Sequence, residues 1–234
     1  EEIIIPKSVK EAKWNYLTEG PFGKSNIKKA VIESGMTVVS DNLFRGSTEL
    51  KSVEIPNTVK EIGEYAFAGT AYTTDSIPDS VTEIGSYAFA ESEIEKIIIP
   101  DSVTSMGSYI FSKCKKLTSV QLPSSRQNIG EGTFFGCVSL ESIKLPDTVI
   151  TIWDKAFEGC SSLKNIEWGK SLKTIKGYSF KDCTSLTEIA IPDTVTSIET
   201  DAFRNCDGLV KVTVPNSVVS IGAGIFYDCD SLKD

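Results

Sequence analysis

The sequence predicts an α/β solenoid of about ten 22–23-residue turns, with one short parallel strand recurring in each turn. Three columns of residues predict it. The cysteines, Cys114, Cys137, Cys160, Cys183, Cys206 and Cys229, follow one another at intervals of 23. Prolines keep that period at Pro100, Pro123, Pro146, Pro192 and Pro215, with Gly169 standing where one more would fall. Phenylalanines keep it at Phe111, Phe134, Phe157, Phe180, Phe203 and Phe226. Toward the N-terminus Pro56, Pro78 and Pro100 are 22 apart, and Phe67 and Phe89 stay in step.

One turn reads in order from "LESIKLPDTVITIWDKAFEGC", residues 140–160. Leu140, Ile143 and Leu145 alternate inward, or nearly so, which predicts a short strand. Pro146 ends it, because proline has no N–H to extend a ladder. Asp147 and Thr148 suit a turn, where their side chains bond nearby backbone. Val149 and Ile152 begin a second extended piece. "DKAFEGC" bends back through turns and short helical segments, with Phe157 filling the middle and Cys160 closing the turn. Turns start at Ile3, Ala30, Val53, Asp75, Ile97, Val120, Ile143, Ile166, Ile189 and Val212. No low-complexity linker interrupts them, so residues 1–234 read as a single domain. Such a turn cannot bury its own apolar face, and stability has to come from stacking neighbours.

Composition removes several function classes. A net charge of −8 opposes a nucleic-acid surface, which needs clustered cations. The three arginines, Arg45, Arg126 and Arg204, are too scattered for a phosphate clamp. There is no histidine, so Ser-His-Asp and Cys-His nucleophiles have no imidazole base. No apolar run approaches the roughly 20 residues that span a bilayer, so no membrane insertion is expected in this segment.

The stretches "IPDSVTEIGSYAFA" (77–90) and "IPDTVTSIETDAFRNCDGL" (191–209) resemble the BspA-like leucine-rich repeat, and the likeness recurs in most turns. The resemblance implies a curved right-handed superhelix with its parallel sheet on the concave face. It also implies a secreted or cell-surface protein engaged in adhesion to host or microbial proteins. Four departures from the pattern stand out: Asp75 at an inward strand position, Arg126 in the column of Val149, Gly169 for proline, and an irregular first turn.

Each remaining column has a structural and a functional reading. A catalytic thiol occurs once beside a base, whereas a column of six serves packing, so buried reduced thiols are favoured. Disulfides between neighbouring turns remain conceivable, because such Cα atoms fall in the permitted range of about 4.4–6.8 Å. Asp79, Asp101, Asp147 and Asp193, with Asn57 and Asn216, follow proline and precede Ser or Thr, which favours turn capping over calcium. Tyr65, Tyr87 and Tyr109, reappearing at Tyr178, form an aromatic stripe, read first as stacking and second as a binding stripe.

The outward central row of the sheet comprises Ile4, Val31, Glu54, Ser76, Ile98, Gln121, Lys144, Glu167, Ala190 and Thr213. Its members from Glu54 onward, Ser76 excepted, are the candidate binding surface. Trp168 reads as a core residue that reshapes one turn, and Trp14, Tyr16 and Phe22 as a shield over the first turn's open end. "CDSLKD" stops where a strand should begin, the expectation for a segment of a longer protein or an exposed edge. The functional expectation is a noncatalytic surface module without a cofactor, meeting a host or microbial surface protein or glycan. A spacer within a larger surface protein is the alternative, and a solenoid enzyme a distant third.

Overall fold

The computed structural model describes residues 1–9 and 19–233; Trp14 and Tyr16 lie outside the described residues. The chain winds into a parallel-strand β-solenoid whose turns each carry a strand on one wall, a strand on a second wall, and a returning turn segment. The first wall is β1 (Glu2–Ile5), β2 (Lys29–Ile32), β4 (Ser52–Glu54), β7 (Lys96–Ile98), β9 (Ser119–Gln121), β11 (Ser142–Lys144), β13 (Asn165–Glu167), β15 (Glu188–Ala190) and β17 (Lys211–Thr213). The second is β3 (Val38–Val39), β5 (Glu61–Ile62), β6 (Glu83–Ile84), β8 (Ser105–Met106), β10 (Asn128–Ile129), β12 (Thr151–Ile152), β14 (Thr174–Ile175), β16 (Ser197–Ile198) and β18 (Ser220–Ile221). Among the described residues eight turns therefore carry both strands, and the first turn shows β1 alone. The turn predicted to start at Asp75 supplies β6 to the second wall but only an isolated bridge, from Ser76 to Ile98, to the first.

Register keeps each column in line. Ile143 faces Ile166, and Ile152 faces Ile175, which in turn faces Ile198. The interior is the stack of these columns. Phe44, Phe67, Phe89, Phe111, Phe134, Phe157, Phe180 and Phe203 are fully buried, and consecutive rings sit 5.1–5.9 Å apart from Phe22 to Phe226. Burying an aromatic side chain of this size contributes about 1.5–3 kcal/mol per turn.

No helix forms among the described residues, which corrects the expectation of short helical segments. The cause is a pair of left-handed backbone positions in every returning segment. The first holds Asn42, Tyr65, Tyr87, Tyr109, Gly132, Lys155, Tyr178, Asp201 and Gly224, with φ between 54° and 63°. The second, four residues on, holds Gly46, Gly69, Glu91, Lys113, Gly136, Gly159, Asp182, Asn205 and Asp228. Gly, Asn and Asp tolerate this region best; they supply most of the second column, and share the first with tyrosine. Two such residues four apart cannot belong to one helix. Every other N–H of the segment instead bonds the next turn: Asn42 to Glu64 O (2.8 Å), Phe44 to Ala66 O (2.9 Å) and Gly46 to Ala68 O (2.8 Å).

Three of the departures in the sequence mark real irregularities. Asp75 is exposed and does not face inward; Tyr72, in the column of Leu50 and Ile94, is buried there, its ring 4.8 Å from Phe67. Arg126 is half-buried among apolar column-mates, with burial lowering its basicity, and its Nε donates to Asn128 O (2.7 Å). At this turn the second wall is interrupted: β8 and β10 do not pair, and no Cα of one lies within 8 Å of the other. The first wall also loses pairing between β9 and β11, and Trp168 marks a wider interruption of it. Its ring lies edge-on to Phe180 at 5.8 Å, and β13 and β15 on the first wall neither pair nor bring any Cα within 8 Å. Gly169 follows because of a close approach, since a Cβ there would lie 2.1 Å from Pro146 O.

Candidate functional site

The outward row of the first wall is assembled by register. Ile4 aligns with Val31 and Val31 with Glu54, then Ser76 with Ile98 and Ile98 with Gln121. Lys144 aligns with Glu167, and Ala190 with Thr213. Glu54, Ile98, Gln121, Lys144, Glu167, Ala190 and Thr213 are all exposed, as expected for residues alternating with a buried strand partner. Neighbouring turns pair charges along this face: Lys29 reaches Glu54 (2.7 Å) and Lys144 reaches Glu167 (3.2 Å). Such solvent-exposed pairs add little stability but fix a pattern of charge on the surface. Beside the middle of the row lies a recess of about 840 Å³, lined among others by Gln121, Lys144, Glu167, Trp168 and Lys170.

The tyrosine stripe is a stack on the returning side. The rings of Tyr65 and Tyr87 are 4.7 Å apart and those of Tyr87 and Tyr109 are 5.0 Å apart, within 3° of parallel. All three are half-buried and carry left-handed backbone. The stack is closed at both ends by polar partners absent from the sequence reading. The Arg45 guanidinium lies 4.2 Å over Tyr65, and Tyr109 Oη donates to Glu131 Oε1 (3.0 Å). Burial and that carboxylate hold the Tyr109 phenol well above its ordinary pKa. Arg45 and Glu131 carry no repeat signature, so nothing in the spacing could have found them.

The cysteine column is buried and unpaired. Each thiol donates to a backbone carbonyl of the preceding turn: Cys137 to Phe111 O (3.1 Å), Cys160 to Phe134 O (3.1 Å) and Cys206 to Phe180 O (3.3 Å). Burial pushes the Cys114 thiol up to about 11 and raises Cys137, Cys160 and Cys183 well above the ordinary thiol value, the reverse of what a nucleophile needs. The same column runs on as Ser47, Thr70 and Ser92, all buried; Thr70 Oγ1 donates within its own turn to Phe67 O (2.8 Å), and Ser92 Oγ lies 3.4 Å from Cys114 Sγ. The position calls for a small side chain with a donor. That continuation was available in the sequence, in the steps from Ser47 to Thr70, Ser92 and Cys114.

The acidic column makes bonds between turns. Asp101 Oδ1 accepts the Ser124 N–H (2.6 Å), and Asp147 pairs with Lys170 (2.5 Å), which lowers its carboxyl pKa. Thr148 Oγ1 contacts both Ser124 O and Arg126 O at 2.8 Å. Among the described residues no group of three or more Cys, Asp or Glu side chains converges as metal ligands would.

A family model described as "BspA type Leucine rich repeat region" matches residues 15–126 and 107–233, with six copies of the repeat. No curated protein matches the chain. Among solved structures, a leucine-rich repeat protein from Bacteroides ovatus is 24% identical over 98% of this chain and 73% of its own, with a TM-score of 0.75. The leucine-rich repeat protein of T. pallidum is 26% identical, over 90% of this chain and 80% of its own, with a TM-score of 0.58. The pneumococcal vaccine antigen PcpA is 18% identical over all of this chain and 71% of its own, with a TM-score of 0.62.

Proposed function

This chain belongs to the BspA-type leucine-rich repeat family, and on that premise we propose that it is a noncatalytic binding module of a secreted or cell-surface protein. Its partner is a host or microbial surface protein or glycan. One observation carries this reading: a solvent-facing row of mixed charged, aliphatic and small side chains on the first wall, in register within each of its paired segments. Repeat proteins bind through broad faces of this kind, with affinity spread over several turns. With a net charge of −8, any contact made with a basic patch of the partner weakens as salt rises.

The test measures binding of the folded protein to a panel of extracellular-matrix proteins and surface glycans at two salt concentrations. Glu54→Lys with Glu167→Lys forms one variant, and Tyr65→Ser, Tyr87→Ser and Tyr109→Ser together form another. Loss in the first variant alone supports the strand row; loss in the second alone moves the site to the tyrosine stack. A parent that binds nothing on the panel favours the spacer reading instead.

A further inference from the structure

The interrupted first wall has a chemistry that an uninterrupted one lacks. One turn earlier, the N–H groups of Lys164 and Asn165 both donate to Glu141 O (2.9 and 3.4 Å), and Leu145 N–H donates to Glu167 O (2.9 Å). Across the gap between β13 and β15 the equivalent donors are Thr187, Glu188 and Trp168. None of the three has a backbone acceptor. Unpaired N–H and C=O groups on a strand edge are a template for another strand. The spacing suits one. Paired strands lie about 4.8 Å apart, so walls that admit a further strand stand about 9.6 Å apart, and here no Cα of β13 comes within 8 Å of β15.

The second wall and the returning side remain closed at this level. Ile175 pairs with Ile198, and Phe157 and Phe180 donate to Ser179 O (2.7 Å) and Ala202 O (2.8 Å). The opening is therefore a slot with a floor, a recess of about 320 Å³. Its floor is apolar, made by Ile166, Trp168, Leu186 and Ile189, and its rim carries Lys164 and Lys211, held only by long, exposed ion pairs to Glu141 (3.5 Å) and Glu188 (4.0 Å) that a partner's acids can replace. We propose that this slot takes an extended segment of a partner protein, which inserts between β13 and β15 as an additional strand. Its residues alternate apolar inward over Trp168 and acidic outward between the two lysines. The proposal rests on the binding-module reading and gives it a location and a chemical class of partner.

The probe is the blocked hexapeptide Thr-Glu-Ile-Glu-Ile-Thr, compared with the same peptide N-methylated at both isoleucines and with a scrambled Glu-Glu-Ile-Ile-Thr-Thr. Amide hydrogen exchange read by NMR should show Thr187, Glu188 and Trp168 unprotected in the free protein and protected when the first peptide is added. N-methylation should weaken binding by about tenfold or more, the equivalent of losing two backbone hydrogen bonds. Trp168→Leu, which installs the residue type of Leu145, should let the walls pair, protect those amides without peptide and abolish binding while the fold survives. Protection of the three amides in the free wild-type protein would overturn the proposal. So would equal binding of the methylated peptide, or binding of a chitooligosaccharide over Trp168 in preference to any peptide. If Trp168→Leu leaves binding to a panel partner unchanged while Glu54→Lys with Glu167→Lys removes it, the slot fails and the surface reading stands.

Discussion

The returning side of the solenoid and its two strand walls are made by the same repeat, but they respond differently to irregular residues. On the returning side the phenylalanine stack runs from Phe22 to Phe226 with no ring step longer than 5.9 Å. The alternating N–H to C=O bonds there also pass undisturbed through the turns of Arg126 and Trp168, for example Phe111 to Thr133 O (3.0 Å) and Phe157 to Ser179 O (2.7 Å). The walls yield at those same turns: the second separates at Arg126, where the first also loses strand pairing between β9 and β11, and the first separates at Trp168. The difference lies in what each ladder must tolerate. Strands of two or three residues carry few bonds each and give way when one column residue is too large or too polar. The returning segment has buried aromatic stacking and a donor column working beside its backbone bonds. Continuity of the solenoid therefore resides on the returning side, which leaves the walls free to vary.

The largest effect should come from breaking that continuous side. Phe157→Ala removes a fully buried ring stacked between Phe134 and Phe180 and should cost about 3–5 kcal/mol. Lys155→Ala, two residues away and half-buried on the same segment, should change stability by less than about 0.5 kcal/mol. Denaturant titrations of the two variants check this. Because each turn couples mainly to its neighbours, the loss in Phe157→Ala should also appear as exchange of amides in the adjoining turns before those at either end. Equal effects of the two substitutions would mean that the inward and outward faces are misassigned.

An intermediate effect should follow from repairing a wall. Arg126→Val restores the column residue found at Val103 and Val149, both buried, and removes a cation whose burial is unfavourable. In the other turns the corresponding N–H donates across the second wall, as Thr104 does to Thr82 O (3.0 Å) and Ile150 to Gln127 O (2.7 Å). Gln127 N–H has no such bond and should gain one to Thr104 O. A gain of about 1–2 kcal/mol is expected, from burying a valine and pairing strand amides. It should be read together with new exchange protection at Gln127. No protection there would show that the interruption comes from the change in repeat length from 22 to 23 at this point, and not from arginine.

Much of this comparison was legible in the repeat itself. The period placed the strands, the phenylalanine and cysteine columns and the outward row, because a solenoid turns sequence spacing directly into spatial alignment. Arg126, Gly169 and Asp75 were visible as departures, but a column states only that a residue is unusual. It does not state which wall yields, since that depends on how far a side chain displaces one short strand relative to the next. The absence of helix was partly legible. Gly, Asn and Asp recur four residues apart around Phe44, Phe134, Phe203 and Phe226, as in Asp201 with Asn205 and Gly132 with Gly136, and that pairing signals left-handed turns. Tyrosines at Tyr65, Tyr87 and Tyr109 obscured it, since tyrosine is an uncommon occupant of that conformation; stacking of about 0.5–1.5 kcal/mol per pair helps offset its strain.

The smallest effect at neutral pH, and the one most dependent on pH, concerns the thiols. Cys160→Ser keeps a small donor within reach of Phe134 O, at a position that Ser47, Thr70 and Ser92 fill in the earlier turns, so it should cost less than about 1 kcal/mol at pH 7. Cys160→Ala, which strands that lone pair without its donor, should cost more than the serine variant. The sign of the pH dependence follows from burial. Thiols such as Cys114, Cys137, Cys160 and Cys183 have folded pKa values raised above the ordinary 9.0, so the folded state holds their protons more tightly than the unfolded chain does. Their contribution is complete below about pH 9 and is lost as pH rises through the folded values. Each thiol then removes about 1.4 kcal/mol per pH unit once the unfolded chain is ionised. Wild-type stability should therefore fall steeply between pH 9 and 11, and Cys160→Ser should fall less steeply, crossing the wild type in that range. Native protein should react slowly with a thiol reagent at pH 8 and yield six free thiols after denaturation without reductant. Intact disulfides found by mass spectrometry, or parallel alkaline curves for the two proteins, would refute the buried-donor reading of the column.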